Sequence, residues 1–187
     1  MSARNHMESG HVERRAFALE VRAARGNPRR LEGYAATFGT EARIGGFVET
    51  IRAGTFAESL ASRRDVLGLV DHDPARVLGR TKSGTLRLSE DARGLAFSID
   101  LPDTQTARDV LALAERGDLG GMSFGFTATD ENWTGDMREL RAVTLHEISI
   151  VQSWPAYSNT TIEARARIAP PPRLALARRY LDTMRRA

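Results

Sequence analysis

Residues 120–126 read GGMSFGF, and how this stretch is taken decides what kind of fold surrounds it. Within it, Gly121-Met122-Ser123-Phe124-Gly125 matches the hydrolase pattern G-x-S-x-G. In an α/β-hydrolase that pattern is a sharp strand-to-helix turn, followed along the chain by an acid and then a histidine. Neither condition holds. The helical periodicity comes before the serine, and the only later histidine, His146, sits inside a run of alternating apolar residues. The stretch is therefore read as a strand. Met122, Phe124 and Phe126 point to one face, and Ser123, Gly125 and Thr127 to the other. A serine with a glycine two residues on has open space beside its hydroxyl, and Gly120 and Gly121 permit close backbone approach, placing amide donors near an oxyanion. Taken alone, the stretch is more economically a small residue in a tightly packed strand; Ser123 needs a base before it is a nucleophile.

Working outward, the period of two dominates. RAFALEVRA (15–23), LEGYAATFG (31–39), VLGLV (66–70) and RELRAVTLHEISIVQS (138–153) read as strands, and residues 85–101 as a hairpin. Helices are expected at about 55–62, where Thr55 and Glu58 have capping-box spacing, and at 104–116, which Gly117 ends. Seven to nine strands with two or three helices do not make a doubly wound parallel sheet. The expected fold is mainly β with flanking helices (α+β), an antiparallel barrel or sandwich.

The 187 residues suit one domain with short appendages, and 41% hydrophobic with 27% charged residues fits a globular chain. Residues 1–14 read as a flexible leader, 15–165 as the main domain, and 166–187 as a Pro-rich linker and basic amphipathic helix. There are no cysteines, which excludes disulfides and thiolate chemistry. No apolar run is long enough for a membrane span, and no signal-peptide core precedes the domain. The net charge of +3 is unevenly placed: residues 164–187 hold seven arginines against Asp182, leaving about −3 on the rest. Nucleic-acid binding by the body is not expected. No metal or cofactor site is evident.

His6 and His11 fall in the leader, so the candidate bases are His72 and His146. His72 ends a buried strand and opens the polar turn DHDP, a position suited to a general base. A third group should orient it. By strict alternation Glu147 shares a face with Val143, Leu145, Ser149 and Val151, while His146 shares the other with Ile148 and Ile150. A carboxylate on an apolar face needs a partner, either an imidazole or an arginine.

Together, LVDHDP (69–74), GGMSFGF and HEISIV with WPAY (146–151 and 154–157) resemble the HK97-type bacteriophage prohead (capsid maturation) serine proteases; LEGYAATFG and FVETIRAGTFAESL (47–60) fit as well. The resemblance covers about residues 15–165. It implies kinship with herpesvirus maturation proteases, hence an antiparallel β-barrel ringed by helices. It also implies Ser123 as nucleophile, His72 as general base and Glu147 as the acid, with His146 the alternative because the herpesvirus relatives use a second histidine. The implied activity is endopeptidase cleavage, without cofactor or metal, of scaffolding segments of the major capsid protein. It would act inside the procapsid in the bacterial cytoplasm, with self-trimming and possible self-association. A non-catalytic assembly factor of the same fold and, behind it, a serine esterase are the rival readings.

Overall fold

The computed structural model describes residues 11–153 apart from 19–20 and 25–26. In chain order its first elements are β1 (Glu13–Phe17), β2 (Val21–Ala24), β3 (Asn27–Thr37), β4 (Ala42–Ile44), β5 (Phe47–Ile51) and α1 (Ala57–Ala61). Then come β6 (Leu67–Val70), β7 (Asp73–Arg80), β8 (Leu86–Glu90), β9 (Gly94–Asp100), α2 (Gln105–Arg116), β10 (Gly121–Thr134) and β11 (Met137–Val151). The mainly β class with few helices is as expected. The barrel is not: among the described residues the strands form a seven-stranded sheet, ordered β1-β10-β11-β5-β4 with β6 and β7 continuing from β11, and a four-stranded sheet, β2-β3-β9-β8. Among the described residues there is no closed barrel, and their two helices do not make a ring.

The stretch that opened the reading lies in the larger sheet. β10 and β11 form one long antiparallel hairpin, and β1 flanks β10 on its far side. Met122, Phe124 and Phe126 are fully buried, as the alternation requires. Phe124 is at the centre of an aromatic cluster, with ring centroids 5.0 Å from Phe126, 5.4 Å from Phe56 and 6.1 Å from Phe17. Leu31, Leu95 and Ile99 of the smaller sheet and Val110 and Ala114 of α2 complete one core. Each buried Leu, Ile, Val or Phe side chain here contributes about 1.5–3 kcal/mol by leaving water. α2 is built as its sequence suggests, with the Thr104 hydroxyl accepting from the Ala107 amide and Gly117 left-handed at φ 74°.

One local expectation fails, and two further features of the chain stand beside it. Thr55 does not cap α1: its hydroxyl donates to the carbonyls of Arg52 and Leu140, while Glu90 of β8 accepts from the Phe56 amide. Pro74 sits near the start of β7, which among the described residues pairs with β6 alone; an edge strand tolerates the missing donor. The hairpin β4–β5, turned at Gly45-Gly46, was not anticipated.

β11 organises the whole sheet. It pairs in parallel with β5 from Met137 to Leu140 and with β6 from Glu147 to Ile150. Between these stretches α1 takes over, the Leu145 amide donating to Ser59 Oγ and the Val143 amide to the Thr55 carbonyl. The leader up to residue 10, and the Pro-rich linker and basic helix placed at 166–187, lie outside the described residues.

Candidate active site

β10, β11 and the turn after β6 bring the three singled-out residues to one face of the larger sheet. Ser123 lies directly across the ladder from Ser149, and Gly125 across from Glu147. β6 runs along the other side of β11, so the turn that follows it delivers His72 over Glu147. The His72 Nδ1 to Glu147 Oε1 distance is 2.6 Å. An ionised carboxylate only accepts, so this bond puts the ring proton on Nδ1 and leaves Nε2 as the basic nitrogen. Among the described residues Nε2 has no hydrogen-bond partner.

Glu147, 7% exposed, has its charge matched on several sides. Ser149 Oγ donates to its Oε2 at 2.6 Å, and Arg14 Nε stands 3.6 Å from its Oε1. The two partners considered for this carboxylate, an imidazole and an arginine, are thus both present, the imidazole much closer. His146 goes elsewhere, its Nε2 2.9 Å from Thr127 Oγ1. The strict alternation assumed for this strand is broken. Gly125 pairs with Glu147 but Phe126 pairs with Leu145, so His146 is the extra residue of a β-bulge. That is why Leu145 and Ile148 both enter the core, and why Glu147 does not share the face of Leu145.

The turn that carries His72 is strained. Asp71 and His72 both have left-handed backbones, φ 50° and 61°, a conformation costing non-glycine residues about 1–2 kcal/mol each. It is held by the Asp71 amide donating to the Ile150 carbonyl at 3.0 Å. The Gln152 amide donates to Asp71 Oδ1 at 2.9 Å, and the His72 amide to Ser149 Oγ at 3.2 Å. His72 is therefore not a freely solvated turn residue.

The two glycines of the G-x-S-x-G match have separate causes. A Cβ on Gly125 would lie 2.5 Å from Glu147 Oε1, so glycine there makes room for the acid. A Cβ on Gly121 would lie 2.1 Å from the Phe17 carbonyl, so glycine there admits β1. Gly120 is not a spare oxyanion donor, since its amide donates to the Val151 carbonyl at 2.8 Å.

Ser123 is 1% exposed, and its hydroxyl donates to the Arg15 carbonyl of β1 at 2.8 Å rather than to His72. The structure thus places His72 and Glu147 in contact and Ser123 on the same face, with Ser149 across the ladder from Ser123 and bonded to both others. Ser149 and Arg14 were not singled out from the sequence, although the shared parity of Ser149 and Glu147 was legible there.

No group of three or more metal-ligating side chains occurs among the described residues, and none of their helices is long and apolar enough to cross a membrane. A serine, an imidazole and a carboxylate gathered on one sheet face are the ingredients of a serine hydrolase. The caudovirus prohead serine protease family matches residues 17–171, and the chain belongs to this family of serine peptidases. No curated protein and no solved structure matches the chain.

Proposed function

We infer that the protein is a serine endopeptidase of the Ser-His-Glu type that matures phage capsids. Its substrates are the scaffolding segments of the major capsid protein and, by self-trimming, its own chain. The observation that carries this reading is the His72–Glu147 hydrogen bond, which orients an imidazole on the sheet face bearing Ser123. In the reaction the Ser123 hydroxyl turns from the Arg15 carbonyl toward His72 Nε2. It gives up its proton there and adds to the peptide carbonyl. Glu147 stabilises the imidazolium that forms, the imidazolium protonates the leaving amine, and water then hydrolyses the acyl-enzyme with His72 again as base. The family supports this assignment, and with it action on a capsid protein within the procapsid in the host cytoplasm.

The test follows intact mass over time for wild type and Ser123→Ala, alone and co-expressed with the major capsid protein. Cleavage by the wild type that is lost in the alanine variant, with a rate falling at least about 10³-fold, is the expected result. Equal clipping in both would trace cleavage to another protease. No cleavage in either, even with capsid protein, would favour a non-catalytic assembly role.

A further inference from the structure

Ser149 has no solvent exposure and stands opposite Ser123 in the β10–β11 ladder. It is no part of the Ser-His-Glu set, yet its hydroxyl touches both of the other members. It accepts the backbone amide of His72 at 3.2 Å and donates to Glu147 Oε2 at 2.6 Å. These directions are forced, because an amide only donates and the hydroxyl then has its single proton left for the carboxylate. With the His72 Nδ1 to Glu147 Oε1 bond the contacts close a ring running from the amide of His72 through Ser149 and Glu147 back to the imidazole. Each free motion in that ring is one the reaction cannot tolerate. The carboxylate would otherwise turn about its own axis, and the left-handed Asp71-His72 turn would otherwise relax. Arg14 is no substitute, being 56% exposed and 3.6 Å from the other carboxylate oxygen.

We propose that Ser149 is a positioning residue: one buried hydroxyl fixes the acid and the base-bearing turn in a single mutual geometry without touching substrate. This rests on the proposed function. The test measures steady-state cleavage of purified major capsid protein by wild type, Ser123→Ala, Ser149→Ala, Glu147→Ala and the double variant Glu147→Ala/Ser149→Ala. Ser149→Thr and Ser149→Val, nearly equal in shape and differing in the hydroxyl, serve as a second comparison. The low-field NMR resonance of the His72 Nδ1 proton is recorded for each without substrate.

Ser149→Ala should lower kcat about 10- to 100-fold, the rate equivalent of a lost hydrogen bond to a charged group, with KM within about twofold. In the Glu147→Ala background the same change should cost no more than about threefold, since the carboxylate it acts through is gone. The Nδ1 resonance should broaden or vanish in the Ala and Val variants and persist in Thr, which should also retain more activity than Val. Wild-type kcat with the resonance intact would overturn the proposal. So would equal losses in both backgrounds, or Thr and Val alike in rate and spectrum. If Ser123→Ala cleaves as well as wild type, the assigned function falls instead, and the Thr–Val comparison of the resonance still decides the part played by Ser149.

Discussion

β1, β10 and β11 carry two buried polar clusters that differ in one respect. On the face of Phe124 and Phe126, Arg15 (5% exposed) grips Glu49 (2% exposed) in a bidentate pair at 2.6 and 2.8 Å. Arg138 reaches Glu49 at 2.9 Å, and both arginines also bond Glu13. Glu131 takes Arg138 Nε at 2.7 Å, and Arg15 lies over the Phe126 ring. Two cations and three carboxylates thus hold one another, and both arginines are bound more tightly to their protons by these partners despite the opposing effect of burial. On the other face, Ser149, Glu147 and His72 bond one another and Ser123 donates to the Arg15 carbonyl, and among the described residues His72 Nε2 is left over. Charges removed from water are tolerable only when matched, so the closed cluster ties β1, β5 and β11 together. The open cluster leaves one imidazole nitrogen unengaged among the described residues.

Removing the acid from each cluster should therefore have opposite consequences. The largest effect is expected from Glu147→Gln, which deprives His72 of its orienting carboxylate. Cleavage should fall about 10³- to 10⁴-fold while the urea midpoint changes little, measured by steady-state kinetics beside equilibrium unfolding. Glu49→Gln should do the reverse, leaving two buried guanidinium groups short of an anion and costing about 3–5 kcal/mol in urea unfolding, with kcat of the folded fraction retained. Should Glu49→Gln lose activity and keep its stability, the division of roles would collapse.

Gly125→Ala probes the boundary of the open cluster by pushing the Glu147 carboxylate aside. A displacement of about 1 Å should lower kcat on the order of 100-fold. The smallest effect concerns acid. Burial raises the Glu13 carboxyl pKa, but its bonds and charge contacts with Arg138 and Arg15 outweigh this and hold it below its ordinary 4.5. A depressed pKa contributes stability above the ordinary value and loses it as pH falls through the depressed one. Unfolding free energy should thus drop on acidification below about pH 4.5, and the Glu13→Gln curve should be flatter in that range.

Much of the open cluster was legible because alternation is a local signal. GGMSFGF gave both faces of β10, and DHDP placed a histidine where an apolar strand ends. The extra residue at His146 left a local trace that strict alternation passes over, since the apolar positions of VTLHEISIV switch from odd (Val143, Leu145) to even (Ile148, Ile150). The bulge follows from α1 and β6 both bonding to β11, and such contacts come from far along the chain. The closed cluster was missed for a related reason. In a chain whose 27 basic residues include a single lysine, nothing local distinguishes Arg15 and Arg138 from the exposed arginines. The β4–β5 hairpin was readable, as Gly45-Gly46 between apolar residues is a turn signal that was passed over.

β11 is the last strand of the described fold, and it alone supplies Glu147, the bulge and the rail on which β6 and β10 align. Protein synthesis proceeds from the N-terminus, so His72 and Ser123 emerge from the ribosome well before their partner. A nascent chain holding both has no assembled site until the residues up to Val151 are out and paired. The order of synthesis thus acts as a timer: the contacts among Ser123, His72 and Glu147's strand are set only when the sheet is complete.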